Sequence, residues 1–289
     1  FQSLRTELMR RGHKFKSTTD TEVIVHLYEE KGTDCVRELS GMFAFAIWDV
    51  RLRRLFLARD RIGIKPLFYQ MDHRCFRFGS EIKSIIADPS MTRSIDAQGL
   101  RDFLTLNYVL APETLFSGVK QILPAHCAVL EDGAWREWRY WDIDFPEKFE
   151  KKSEEAWSDG LAEVISRSVK RHMVADVPFG ALLSGGIDSS AMVSFMAQHT
   201  TEPVETFSIG FSESSYNELE HAGLVAAHYG TNHHEQIIKP KMVEILPRLV
   251  WHSEEPLADP SAVPMYYLAQ MVQSHVKMAI GGDGADELM

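Results

Sequence analysis

The feature that most constrains this chain is a short apolar strand, FGALL (179–183), that runs directly into SGGIDSS (184–190) and then into a helical pattern. Gly185 and Gly186 let the backbone turn tightly and expose its amide N–H groups. Together with the N-terminus of the following helix, those amides form an anion site, assisted by the Ser184, Ser189 and Ser190 hydroxyls. Residues 180–185 also fit the spacing GxxxxG, but Gly186 stands where a Walker A loop requires lysine. A loop that transfers a γ-phosphate in that manner is excluded, and a pyrophosphate loop remains. The plainer competitor is a glycine-rich strand-to-helix turn capped by serines.

The flanking pattern favours the ligand site. After a charged, proline-containing stretch at 146–152, read as a linker, helices and strands alternate. Helices are predicted at 154–172, 189–198, 219–229 (ending at Gly230), 242–252 and 263–274, and strands at 177–183, 205–210, 235–238 and 276–280. Such alternation predicts a doubly wound α/β parallel sheet with ligands at the strand carboxyl ends. The first half differs. A helix is expected at 21–31 with Asp20 as its N-cap, then β-rich runs at 41–49, 53–61, 65–70 and 74–80. A helix at 96–106 and strands near 125–130 and 135–141 complete an α+β domain. The expected division is a domain at 1–145, the linker at 146–152 and a second domain at 153–289.

Charge narrows the partners. Lysine plus arginine against aspartate plus glutamate stands at 21 to 20 over residues 1–145 and 10 to 21 over residues 146–289. The net charge of −10 therefore sits almost wholly in the second half. Neither half offers the basic stripe that nucleic acid would require. An acidic half that handles phosphate must use backbone amides, a metal, or lysines from outside this segment. No apolar run approaches the roughly 18 residues of a membrane span, and no signal peptide is expected. Cys35, Cys75 and Cys127 are too far apart for a local zinc motif and odd in number, so they read as reduced thiols of a cytoplasmic protein. The chain starts at Phe1 and stops in mid-element at Met289, which leads us to expect a piece of a longer protein.

Asp188 is a carboxylate beside an anion site, where it would repel phosphate unless Mg²⁺ lay between them. Alone it reads as a helix-capping residue. A second strand, VKMAI (276–280), ends in GGDGADE (281–287), which again places glycines and carboxylates at a strand's carboxyl end. Asp188 and Asp286 then become co-ligands of one Mg²⁺, and Asp283 a candidate for contact with the reacting substrate. Other features read as structural. His233 and His234 are neighbours on a strand and point to opposite faces, so a shared metal is not expected. Arg59–Arg61 and Lys65–Pro66 should fix a strand-turn-strand corner, the Met and aromatic residues within 264–271 should be core, and Trp138 and Trp141 should anchor the domain boundary.

SGGIDSS with GGDGADEL (281–288) resembles the synthetase domain of the bacterial class II glutamine-hydrolysing asparagine synthetases. FSIGF (207–211), HYGTNHHE (228–235) and the segment 255–270 are similar to the same family. In the first half, GHKFKSTTDTEVIVHLYEEKG (12–32), LSGMFAFAIWD (39–49), LARDRIGIKPLFY (57–69) and GSEIKSI (79–85) resemble its glutaminase domain. The resemblance covers essentially the whole chain. It implies part of an α+β N-terminal-nucleophile amidotransferase domain, followed by part of an α/β doubly wound, adenine-nucleotide α-hydrolase-like (PP-loop) synthetase domain.

The resemblance also implies roles. Asp20 would pair with the α-amino group of glutamine. Leu183, Ser184, Gly185, Gly186, Asp188, Ser189 and Ser190 would hold ATP and its pyrophosphate, with Ile209 near adenine and Gly281 and Gly282 beside the nucleotide. Asp188 and Asp286 would ligate Mg²⁺. Asp283 would be catalytic, at a position where some relatives carry glutamate. The implied cofactors are ATP and Mg²⁺, the implied small-molecule partners glutamine, aspartate and ATP, and the assembly a homodimer, with no nucleic acid and no membrane. The family's cysteine nucleophile, glutamine-binding arginine and Asn-Gly-Glu segment would precede Phe1, and a lysine and further helices would follow Met289. None of the three cysteines can replace that nucleophile, whose base is its own free α-amine. Two alternatives stay open: the same chemistry on another carboxylate (cell-wall, peptide or secondary-metabolite amidation or cyclisation), or a catalytically dead interaction module.

Overall fold

The computed structural model describes residues 1–148, 150–212, 218–256 and 258–286. Phe149 of the expected linker, Leu257 of the 255–270 segment, and Glu287 and Leu288 of the acidic motif lie outside the described residues. Phe1–Pro146 with Glu254–Ala258 forms one unit, and Glu147–Ser253 with Asp259–Met289 a second. Among the described residues no helix is long and apolar enough to cross a membrane.

The first unit runs α1 (Gln2–Arg10), α2 (Asp20–Lys31), a 3-10 segment (Gly32–Glu38), β1 (Ala44–Asp49), β2 (Arg54–Arg59), β3 (Phe68–Met71), β4 (Phe76–Gly79), α3 (Ile82–Ile86), α4 (Ala97–Leu106), β5 (Val119–Gln121), β6 (His126–Glu131) and β7 (Ala134–Arg139). It is α+β, with antiparallel sheets in the orders β1-β2-β6-β7 and β4-β3-β5. The apolar run of β2 is continuous because the strand is central and covered on both faces. Phe56 and Ala58 pack in a cluster with Val23 and Leu27 of α2, while Leu55 and Leu57 meet Leu67 and Ile122 on the other side. Phe56 is fully buried, with the Tyr28, Phe45 and Trp138 rings at 5.8, 5.9 and 6.5 Å. Burying such a ring contributes about 2–3 kcal/mol. Trp138 and Trp141 both pack against this same core cluster.

Two local details refine the expectation. The N-cap of α2 is Thr19, so Asp20 is not the cap but belongs to the first turn. A carboxylate there is favoured by the helix dipole rather than by a capping bond. Asp96, by contrast, does cap α4, accepting from the Gly99 N–H at 2.8 Å.

The corner after β2 is a buried polar lattice. Asp60, 1% exposed, accepts from Phe43 N–H at 3.2 Å, Ile64 N–H at 3.0 Å and Lys65 N–H at 2.9 Å. The Arg59 guanidinium donates to the Lys65, Ile122 and Gly63 carbonyls at 2.8, 2.7 and 2.6 Å. Burial pushes the Arg59 pKa below its usual value, with Asp60 opposing the shift. These residues hold the turn together.

The second unit runs α5 (Glu154–His172), β8 (Phe179–Leu182), α6 (Ile187–His199), β9 (Glu205–Phe211), α7 (Leu219–Tyr229), β10 (Asn232–Ile238), α8 (Met242–Ser253), α9 (Ala262–Val272) and β11 (Met278–Ile280). Its sheet is parallel in the order β10-β9-β8-β11. The chain steps outward from β8 to β9 and β10, then returns to place β11 on the opposite side of β8. Alternate residues of β8 and its extension serve both faces. Ala181 and Leu183 cluster with Val169 of α5, Val193 and Met196 of α6, and Ala222 of α7; Leu182 packs with Phe207 and with Leu268 and Val272 of α9. The sheet is doubly wound, and its strand order reverses between β8 and β11. That reversal is where an open α/β sheet leaves a crevice at its carboxyl edge.

Candidate functional site

Two glycines fix the loop after β8. Gly185 has φ +84°, and a Cβ there would lie 2.5 Å from Ala222 N and 2.6 Å from the His221 carbonyl carbon of α7. Only glycine fits that close approach without strain. Gly186 is the N-cap residue of α6, in extended conformation and with no side-chain capping bond. Asp188 and Ser189 therefore sit in the helix's first turn, because α6 begins at Ile187, two residues before the 189–198 helix expected from sequence. The first turn leaves N–H groups without intrahelical partners, which suits an anion.

The serines organise the loop from within. Ser184 N–H donates to Ser189 Oγ at 3.2 Å, the two hydroxyls are 2.9 Å apart, and Gly186 N–H donates to Ser184 Oγ at 3.2 Å. Behind them, Leu183 N–H donates to the Phe207 carbonyl at 2.9 Å and the buried Ser208 hydroxyl donates to the Leu183 carbonyl. Ser190 behaves differently, its Oγ being buried with no hydrogen-bond partner among the described residues. A buried hydroxyl lacking a partner carries a penalty of about 1–3 kcal/mol.

The loop after β11 packs against this one. A Cβ on Gly282 would lie 3.0 Å from Ser189 N, 3.1 Å from Asp188 Cβ and 3.2 Å from the Asp188 carbonyl carbon. The two loops flank a cavity of about 460 Å³, within the size range of small-molecule sites. Of the residues expected from sequence, Leu183, Ser184, Asp188, Ser189, Ile209, Gly281, Gly282, Asp283 and Asp286 line it. Gly185, Gly186 and Ser190 do not: Gly185 backs onto α7, and the Ser190 hydroxyl is turned away from solvent. Asp20 belongs to the first unit, where it is exposed at the start of α2.

Sequence reasoning missed part of the wall. Phe207, Ser208 and Phe211 come from β9, Ala222 from α7, and Pro264, Met265 and Leu268 from α9. The carboxyl-edge rule could have flagged the end of β9. The Met and aromatic residues within 264–271 are expected to be core, and this is corrected for Met265, which is 42% exposed and faces the cavity. Leu268 does both, lining the cavity while packing with Phe207. His233 and His234 diverge: His233 Nδ1 meets Thr206 Oγ1 at 2.9 Å, while His234 Nε2 meets Glu205 Oε2 at 2.6 Å.

The donor set suits Mg²⁺. Asp188 and Asp286 line the same cavity and offer hard oxygen donors, and no triad of His, Cys, Asp or Glu donors converges there among the described residues. A cation held by two carboxylates keeps positions for phosphate oxygens and water, which is the preference of Mg²⁺.

Comparisons with known proteins cover both units. The family described as asparagine synthase matches residues 160–289, and that described as glutamine amidotransferase domain matches residues 1–141. Asparagine synthetase (glutamine-hydrolyzing) 3 of Bacillus subtilis is 36% identical to this chain, covering 99% of it and 49% of the relative. Asparagine synthetase (glutamine-hydrolyzing) 1 of the same organism is 37% identical, with 99% and 45% covered. A putative asparagine synthetase (glutamine-hydrolyzing) 2 of Methanocaldococcus jannaschii is 34% identical, with 93% and 53% covered. The chain spans about half the length of the curated relatives it matches.

Proposed function

We propose that this chain, which belongs to the family of glutamine-hydrolysing asparagine synthetases, carries the carboxylate-activating site of an enzyme that converts aspartate to asparagine with ATP and glutamine. The observation that carries the reading is the packing of the Gly282 backbone on the first turn of α6, which sets the glycine-acid loop and the serine-glycine loop around one cavity.

In this reading the nucleotide phosphates lie against the amino end of α6, where the Ser184 and Ser189 hydroxyls and unpaired N–H groups receive them. Ile209 and the backbone at Gly281 and Gly282 flank the nucleoside. Asp188 and Asp286 would hold Mg²⁺, which when bound would supply charge stabilisation for the departing pyrophosphate. Asp283 reaches toward the reacting substrate. An oxygen of the aspartate β-carboxylate attacks the α-phosphorus, the bond to the β-phosphate oxygen breaks, and pyrophosphate leaves. Ammonia then attacks the acyl carbon of the β-aspartyl adenylate, and AMP departs with the carbon–oxygen bond pair. Hydrolysis of glutamine to glutamate in the amidotransferase domain of the whole protein supplies that ammonia, with Asp20 pairing the glutamine α-amino group. The proposal extends to a cytoplasmic, homodimeric enzyme without nucleic-acid or membrane partners, and to domain limits at 1–145 and 153–289.

The test is Asp188→Ala in the complete protein, with pyrophosphate release followed over a panel of carboxylic acids. Wild type should release pyrophosphate with aspartate and not with the other acids, and the variant should lose at least about a hundredfold in rate. Unchanged release in the variant would remove Asp188 from the metal site. Release driven by a different acid would move the reading to another amidation.

A further inference from the structure

A second group of ligand-type side chains lies in the first unit, unused by the chemistry above. His13 follows the end of α1, and His26 and Glu29 stand one turn apart on α2. The two imidazoles face each other through Nδ1 at 3.1 Å. One Glu29 carboxylate oxygen lies 2.8 Å from His26 Nδ1 and 3.7 Å from His13 Nδ1.

Three atoms at these separations lie on a circle of radius about 1.9 Å, so a cation about 0.8 Å off their plane would sit about 2.05 Å from each. That distance matches zinc–imidazole and zinc–carboxylate bonds, and the offset is close to the third of a bond length that tetrahedral geometry requires. Two nitrogens and a carboxylate are donors suited to zinc and neighbouring first-row divalent ions.

The hydrogen-bond pattern points the same way. With only a proton among the three atoms, a neutral His26 places N–H on Nδ1 toward Glu29 and leaves Nε2 a bare acceptor. That Nε2 is buried with no hydrogen-bond partner, and the nearest polar atom recorded for it, Glu22 Oε1 at 3.7 Å, is itself an acceptor. A cation bound by both Nδ1 atoms reverses the tautomer and puts N–H on both Nε2 atoms. His13 Nε2 then donates to Glu30 Oε1 at 2.9 Å, His26 Nε2 faces Glu22, and Arg11 steadies Glu30 at 2.7 Å. A carboxylate behind a ligating histidine is the usual outer partner of a metal site. The imidazoles are mostly buried, while Glu29 is 58% exposed and leaves the remaining coordination positions open to water.

We propose that His13, His26 and Glu29 bind one divalent cation of the zinc class, joining the loop after α1 to α2. The full-length protein, stripped with a chelator and kept in excess Mg²⁺ to fill hard-oxygen sites, would be titrated with Zn²⁺ by calorimetry. The same titration with Co²⁺ would be followed by visible absorption. One Zn²⁺ per chain should bind at this site and raise the unfolding temperature, and Co²⁺ should give the absorption of a low-coordinate nitrogen–oxygen site. His26→Gln should abolish this binding and Glu29→Gln should weaken it about tenfold or more. Glu29 is exposed, so its variant should fold with an unchanged metal-free melting temperature and decides the matter if His26→Gln does not fold. No Zn²⁺ uptake by wild type, or uptake that Glu29→Gln leaves unchanged, would overturn the proposal and leave a proton as the cluster's only occupant.

Discussion

A Cβ placed on Gly282 would stand 3.0 Å from the amide nitrogen of Ser189, so the loops that follow β11 and β8 meet backbone against backbone. The obstructing atoms belong to the first turn of α6, which cannot swing aside as a flexible side chain would. Gly282→Ala should therefore displace the α6 amino end by a few tenths of an ångström without unfolding the sheet. Aspartate-dependent pyrophosphate release by the complete protein should fall by about ten- to a hundredfold. A rate equal to wild type would show that the two loops act independently.

Gly185 is the more fragile glycine. Alanine there would combine the strain of φ +84° with contacts of 2.5 and 2.6 Å to the backbone of α7. Left-handed strain of about 1–2 kcal/mol and overpacking of about 1–3 kcal/mol together predict a loss near 3 kcal/mol. Urea unfolding should show it as a lowered midpoint, and Gly186→Ala, whose added Cβ meets only Ser184 Oγ at 3.3 Å, should lose far less. Equal midpoints for the two variants would refute the assignment.

In the first unit the corner after β2 depends on Asp60. Asp60→Ala would strand the Phe43, Ile64 and Lys65 amides and leave the buried Arg59 guanidinium without its neighbouring negative charge. Removing such a buried charged acceptor predicts a loss of about 3–5 kcal/mol. Asp60→Asn, which keeps an acceptor oxygen, should recover part of it. Urea midpoints for the two variants and wild type would rank them, and a neutral alanine substitution would contradict the corner.

Burial pushes the Cys35 and Cys127 thiols up to about 12 from the ordinary value of 9.0. Their folded values lie above their unfolded ones, so the stabilisation is complete below about pH 9 and drains as pH climbs toward 12. The slope is at most about 1.4 kcal/mol per pH unit for each thiol. The Cys35→Ala/Cys127→Ala double variant should lose stability less steeply over that window. In native protein at pH 8, iodoacetamide should label Cys75 first, and Cys35 and Cys127 only after unfolding. Equal labelling of all three, read by mass spectrometry, would be inconsistent with this burial.

Elements with strong periodicity were legible from sequence alone. Glu154–His172 and Leu219–Tyr229 occur with the limits their apolar spacing suggested, and Gly230 closes the latter with φ 62° and ψ 39°. Helix α1 was missed because its nine residues expose most of their surface and bury only Leu8. The three-residue β5 exists through pairing with β3, a partner distant in sequence. Met265 was misread because helical spacing tells which face is apolar but not whether that face meets a core or a cavity.

By itself the sequence determined what is local: a strand that turns through glycines into a helix at 184–190, and a second glycine-acid turn after 280. Those outcomes follow from φ freedom, capping and periodicity, which act over a few residues. Only the tertiary structure decided that β11 returns to the far side of β8, that Gly282 lies on Ser189, and that Phe207, Phe211 and Met265 close the wall around them. Contacts of that kind depend on strand order and on which helix face finds which sheet, and these are settled by burial over the whole domain rather than by any short stretch of chain.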